Sequence, residues 1–238
     1  MKETSNKHKL VFGGYRLGAL VMKSWVPKPV GHISCSANYD FPIYYMPVEN
    51  TSNKEVHSGD ARIIPDIIES IHKMENIGCQ SIISSCGYFG HYQKEVAKDS
   101  NVPVYMSAVC LVPLIFRTLK DNQKLGIICY NKAKFTSHLF ESCSVSPALQ
   151  QRCIIADVVN EPELGNIIKD QGHYDVTKGR EEVVGVAKRL KESDPNIAAI
   201  LLECTDLPPH SFAIQQELGL PIFDSTTMVK YVGDILTI

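Results

Sequence analysis

The sequence predicts an α/β fold of two pseudo-symmetric lobes, each a mainly parallel sheet flanked by helices, with the active site in the cleft between them. Three observations carry this expectation. Short apolar runs alternate with amphipathic stretches, the pattern of parallel strands covered on both faces. Ser85-Cys86-Gly87 leads to Pro103 and Glu203-Cys204-Thr205 leads to Pro221, with seventeen residues from cysteine to proline in both segments, and Ser107 and Ser225 keep the same register. Cysteine, proline and serine in one register mark an internal duplication. Both cysteines follow an apolar run, which places them at carboxyl ends of strands, where ligands bind in open α/β sheets.

Strands are predicted at Leu17 to Met22, Pro42 to Val48, Ser81 to Ser84 and Val102 to Tyr105, and again at Leu125 to Tyr130, Cys153 to Val158, Ala198 to Leu202 and Leu220 to Phe223. The clearest helix is Ala61 to Ile77, where Ile63, Ile64, Ile67, Ile68, Ile71 and Met74 form one stripe, with Asp60 as a cap and Gly78 as a stop. A second runs from Lys178 to Leu190, with Val183, Val184, Ala187 and Leu190 on one face. The lobes are expected at 10–120 and 124–238, after a frayed tail at 1–9, with the last helix crossing back to the first lobe.

The 238 residues, 44% of them hydrophobic, suffice for a sizeable core. A formal net charge of −2, without long runs of either sign, gives no electrostatic case for a nucleic-acid or membrane partner and leaves a small molecule as the expected one. Met1 to Lys9 lacks the apolar stretch of a signal peptide, and no run reaches about 18 apolar residues. A cytoplasmic protein is therefore expected. None of the eight cysteines forms a C-x-x-C pair, so neither a metal site nor a disulfide framework is expected. Most, Cys129 among them, read as small buried apolar residues.

Cys86 and Cys204 are the candidate catalytic pair. A thiol acts as a base only as thiolate, and roughly 3% is ionised at pH 7 for a free pKa near 8.5. Each cysteine precedes an expected helix start, where unpaired N–H groups and the helix dipole favour an anion. The same donors would hold a substrate carboxylate or the enolate formed from it, at about 3 kcal/mol per donor. Candidate substrate contacts are Lys23, Ser24, Ser85, Gly87, Tyr88, Asn131, Thr205 and Asp206. Asp206 has two readings, orienting Cys204 or capping the helix that follows.

Five segments together resemble the cofactor-independent aspartate/glutamate/hydantoin racemase superfamily: Ser85 to Phe89 with Gln93, Pro103 to Ser107, Leu125 to Ile128, Leu202 to Pro209 and Leu220 to Asp224. The Glu-Cys-Thr block is the most specific of them. The resemblance implies catalysis without cofactor or metal, homodimerisation, and two cysteines on opposite faces of a stereogenic carbon, one removing a proton while the other returns one. The amino-terminal segment departs from the pattern. Lys23-Ser24-Trp25 stands where an acidic residue, a hydroxyl residue and an arginine are usual, and His32 and Cys35 replace an aspartate and an asparagine. A lysine near Cys86 would favour thiolate and pair with a substrate carboxylate.

The leading expectation is a racemase or epimerase acting on a small carboxylate-bearing or hydantoin-like substrate by two-base proton transfer. The alternatives are a same-fold isomerase or decarboxylase of the maleate or arylmalonate type using one cysteine, and a non-catalytic small-acid binding protein. His32, His91 and His210, taken singly, read as solvated or structurally hydrogen-bonded groups.

Overall fold

The computed structural model describes residues 14–169 and 172–236; the tail expected at 1–9 lies outside them. The first lobe contains β1 (Leu17–Val21), β2 (Ile43–Pro47), α1 (Asn53–Ser58), α2 (Ile64–Ile77), β3 (Ser81–Ser84), α3 (Gln93–Asp99), β4 (Val104–Tyr105) and α4 (Val112–Thr118). The second contains β5 (Lys124–Cys129), α5 (Ser137–Ser142), α6 (Pro147–Gln150), β6 (Cys153–Asp157), α7 (Val176–Ser193), β7 (Ile197–Leu202), α8 (Ser211–Leu218), β8 (Ile222–Asp224) and α9 (Ser225–Leu236). All strand pairs are parallel, in the orders β2-β1-β3-β4 and β6-β5-β7-β8.

The duplication is visible in the register. Ile82 and Ile83 pair with Val104 and Tyr105, and in the second lobe Ile200 and Leu201 pair with Ile222 and Phe223. Each of these residues in the first lobe lies 118 positions before its equivalent in the second, as Cys86 does before Cys204. Because the sheets are parallel, all strand carboxyl ends of a lobe lie on one edge, and the two cysteine loops leave from those edges.

The expected helices form, with altered starts. Asp60 accepts from the Arg62 N–H and caps a short 3-10 turn at Ala61–Ile63, after which α2 begins with Pro65 in its first turn; Gly78 ends it at φ 109°. Ile67, Ile71 and Met74 are buried, while Ile64 and Ile68 are half-buried, so the apolar stripe is narrower than the sequence pattern. Truncating Ile71 to alanine would cost about 2–5 kcal/mol. The helix expected from Lys178 starts at Val176, where the Asp175 carboxylate accepts from the Thr177 and Lys178 N–H groups.

The helix after each lobe's last strand serves the other lobe. Val229 and Val232 of α9 pack on Leu17, Ala19, Ile43 and Ile83 of the first sheet. Ile115 and Phe116 of α4 share a core with Leu125, Ile127 and Leu201 of the second, and the Arg152 guanidinium lies 4.5 Å from the Phe116 ring. This exchange holds the cleft between two rigid edges. No helix among the described residues is long and apolar enough to cross a membrane.

Candidate active site

The two cysteine loops have the same local build. Cys86 ends an extended segment and Phe89 N–H donates back to its carbonyl at 3.1 Å; Leu207 N–H does the same to Cys204. In each loop the backbone N–H two residues on, from Tyr88 or Asp206, favours the thiolate of the cysteine. Gly87 is required by close approach: a Cβ there would lie 2.4 Å from the Glu203 carbonyl oxygen, so only glycine lets the first loop pass the end of β7.

Hydrogen bonds across the cleft fix one loop against the other. Thr205 Oγ1 donates to the Ser85 carbonyl at 2.6 Å, and the Tyr88 hydroxyl both donates to the Asn131 carbonyl and accepts from its N–H. Gly31, at φ 102°, brings the loop after β1 against Pro209, where a Cβ would meet backbone at 2.5 Å, and Thr226 Oγ1 donates to its carbonyl. Next to Gly31, His32 reaches across to Asp206.

One pocket results, lined by both cysteines together with Ser24, Lys28, His32, His57, Ser85, Gly87, Tyr88, Tyr130, Glu203, Thr205 and Asp206. Its volume is about 70 Å³, room for roughly five water molecules and so for a small carboxylic acid. Among the described residues, no group of three or more His, Cys, Asp or Glu side chains is arranged to hold a metal ion.

The partners of the two sulfurs differ. Cys86 Sγ lies 3.8 Å from His57 Nε2, and burial, followed by the charge of Lys134, pushes the His57 pKa down to about 4, so the ring is neutral at pH 7. Cys204 Sγ donates to Asp206 Oδ2 at 3.8 Å. Burial alone would raise the Asp206 carboxyl, but hydrogen bonding from His32 at 3.3 Å and the charge of Lys28 at 3.2 Å hold it well below the usual carboxylate range. His32 Nδ1 accepts from the Ser34 N–H, so Nε2 carries the proton given to Asp206. Asp206 thus orients Cys204, and neither oxygen caps the following helix.

The pocket does not provide the thiolate activation expected from helix starts. Burial, followed by the charge of Glu203, pushes Cys86 up to about 12; burial, then Asp206 and Glu203, carries Cys204 well above the ordinary thiol value. The helices α3 and α8 begin seven residues beyond their cysteines, after intervening 3-10 turns, so their dipoles act weakly at the sulfurs.

Of the expected contacts, Ser24, Ser85, Gly87, Tyr88, Thr205 and Asp206 line the pocket. Lys23 does not. Its side chain is 59% exposed and its ammonium pairs with Glu49 at 2.6 Å outside the pocket wall; the lysine that does line the pocket is Lys28, paired with Asp206 at the Cys204 end. Asn131 also stays out: its side chain accepts from the Ala133 N–H, and only its backbone matters, as the anchor of Tyr88. Cys35 does not line the pocket.

Sequence reasoning misses His57, Lys28, Tyr130 and the separate role of Glu203. His57 sits on α1, a six-residue helix opened by a Ser52–Glu55 capping box, with no motif around it. Glu203 does carry a signal, since an acid directly closing the apolar run Ile197–Leu202 is unusual at a buried strand end. It is 0% exposed, both carboxyl oxygens lack a partner, and burial pushes it up to about 8.

Solved structures share this architecture. Allantoin racemase from Klebsiella pneumoniae aligns with 92% of the chain and 88% of its own length at TM-score 0.62 and 14% identity. Glutamate racemase RacE1 from Bacillus anthracis aligns with 93% of the chain and 84% of its own length at TM-score 0.54 and 16% identity. Unliganded arylmalonate decarboxylase covers 92% of both chains at TM-score 0.55 and 12% identity.

The fold is that of these racemases and this decarboxylase. The fold that the resemblance in the sequence implies is thus the one observed. No protein-family profile matches the chain. In sequence, it is 26% identical over 221 residues to a dimethylsulfoniopropionate lyase of Durusdinium sp. clade D, covering 89% of this chain and 72% of that protein. It is 25% identical over 223 residues to dimethylsulfoniopropionate lyase 7 of Emiliania huxleyi, again over 89% of this chain but only 64% of the relative. The chain therefore spans about two thirds of the length of these lyases.

Proposed function

We propose that this chain is a cofactor-independent carbon-acid lyase: it removes the proton beside a carboxylate and expels a neutral group from the next carbon. Dimethylsulfoniopropionate, the substrate named for its sequence relatives, is the first substrate to test. The observation that carries this reading is the inequality of the two cysteines. Inversion of a stereocentre needs an acid and a base of matched capacity on opposite faces, since the same site must run in both directions. Elimination needs only one base, because a departing thioether leaves with the electron pair of the broken C–S bond and needs no proton.

In this reading Cys86 is the base. Its proton leaves to solvent by way of neutral His57, 3.8 Å away, whereas the anionic Asp206 beside Cys204 accepts that thiol's hydrogen bond and keeps it protonated. A sulfonium substrate helps create the base. A unit charge at about 5 Å, at an effective dielectric near 20, is worth roughly 3 kcal/mol, or about two pK units on a thiol. The Cys86 thiolate takes the proton from the carbon beside the carboxylate, the C–S bond breaks, and dimethyl sulfide and acrylate leave.

The second reading keeps the two-cysteine racemase or epimerase, favoured by both sulfurs lining one pocket. A single experiment separates the two. Incubation with dimethylsulfoniopropionate should release dimethyl sulfide and acrylate in equal amounts, measured by headspace chromatography and liquid chromatography. Absence of both products, with wash-in of solvent deuterium at the stereocentre of a chiral carboxylic acid or hydantoin, would replace the lyase by the racemase. In either case a cytoplasmic enzyme working without cofactor or metal is proposed.

A further inference from the structure

We propose that Glu203 is the specificity-determining residue of the pocket: its carboxylate, held without a partner between the two cysteine loops, receives the cationic group of a zwitterionic carboxylic acid. The inference deepens the lyase reading and rests on it for the identity of the reaction, but the recognition it describes is separately testable.

The duplication sets Glu203 apart. The position equivalent to it in the first lobe is Ser85, and both residues donate their N–H to a neighbouring strand, to Leu20 from Ser85 and to Ile128 from Glu203. Ser85 is satisfied, for its hydroxyl accepts from the Met22 N–H at 3.1 Å. Glu203 is not: it is fully buried, lines the pocket, and neither carboxyl oxygen has a hydrogen-bond partner. A buried carboxyl left in this state costs free energy that a serine at the same place avoids. A ligand group that completes it resolves the cost.

The surroundings indicate the sign of that group. The titratable groups facing Glu203 are the thiols of Cys86, Cys129, Cys143 and Cys204 and the Tyr88 hydroxyl. No lysine, arginine or histidine among the described residues pairs with it. The cationic side chain of the pocket, Lys28, lies at the Asp206 end. A zwitterion therefore finds opposite poles: Lys28 and the loop N–H groups for its carboxylate, Glu203 for its cation. The Tyr88 and Tyr130 rings line the same pocket, and onium methyl groups favour aromatic faces. Without a cation beside it, burial keeps Glu203 largely protonated up to about pH 8, so the cation displaces a proton when it binds.

The test compares isosteres that differ only in charge. 3-(Trimethylammonio)propanoate, whose amine is a poor leaving group, and 4,4-dimethylpentanoate have the same shape, and calorimetry on the full chain gives the affinity of each. Wild type should prefer the ammonium compound by about 30-fold, the scale of losing one partner of a desolvated charge pair. Glu203→Gln should bring that ratio close to one while leaving the affinity for 4,4-dimethylpentanoate unchanged. On wild type alone, the ratio should grow as pH rises from 6 to 9, because the ionised form of Glu203 binds the cation; this holds the inference to account even if the variant fails to fold. A preference that survives in Glu203→Gln, or a wild-type ratio near one or flat with pH, overturns it. Release of dimethyl sulfide is scored separately. Wild type with the charge preference but no product keeps the inference and loses the lyase, and product without preference does the reverse.

Discussion

The loop around Cys86 and the loop around Cys204 descend from one plan and have diverged in their neighbours. Both leave a central parallel strand, and both turn through an N–H bond back to the cysteine carbonyl. Beside Cys86 stand a neutral imidazole and a satisfied serine; beside Cys204 stand an ionised aspartate and an unsatisfied glutamic acid. Backbone symmetry fixes where the two sulfurs are. The side chains around them set which one can lose its proton, and a one-base reaction can be built on a two-base frame without moving a strand.

The contrast between the loops can be broken at several points. The largest effect is expected at His57: His57→Ala should lower the rate of dimethyl sulfide release about 10²–10⁴-fold, the usual contribution of a general acid–base group, with little change in KM. An equal loss of binding would make His57 a substrate contact instead. Next comes Asp206→Asn, which removes the anion holding the Cys204 proton. Alkylation of Cys204 by iodoacetamide at pH 8, followed by mass spectrometry, should speed up about tenfold or more, since a pK unit of thiol shift changes the thiolate fraction tenfold. Cys86 should be little affected in the same sample.

A smaller effect concerns stability. The Glu203 carboxyl is raised from 4.5 to about 8 in the folded chain, so between these values the native state holds a proton that the unfolded chain has lost. Its contribution is therefore full below about pH 4.5 and is lost as pH rises to about 8. Glu203→Gln should flatten this fall, so the variant gains Tm relative to wild type as the pH is raised from 4.5 to 8; a difference that does not change with pH would contradict it. The smallest effect is at Lys23. Its ion pair with Glu49 is exposed, so Lys23→Ala should change stability by no more than about 1 kcal/mol and leave the rate unaltered.

Much of the fold is legible in the sequence. Eight strands, their repeat and the two cysteines follow from patterns that repeat locally, apolar runs and a cysteine at the same offset from a proline, and the expected return of the last helix to the first lobe is met by α9. The site is legible only where it lies within the repeat. His57 and Lys28 come from α1 and from the loop after β1, far from the cysteines in sequence, and only the packing of those segments over the strand ends brings them in. Lys23 is misplaced because a lysine beside a strand end reads the same whether it turns inward or pairs with Glu49 at the surface. The protonation of the thiols cannot be read at all, since it depends on burial and on Glu203, and helix starts taken from sequence suggest the opposite sign.

The inequality of the cysteines is tested most directly by the rate of dimethyl sulfide release from dimethylsulfoniopropionate in wild type, Cys86→Ser and Cys204→Ser, with folding checked by circular dichroism. Loss of the base should lower the rate by about 10⁴-fold in Cys86→Ser, at the upper end for such groups, and by only about 10²-fold in Cys204→Ser. Equal losses in the two variants, or the larger loss in Cys204→Ser, would contradict the assignment of Cys86 as the single base.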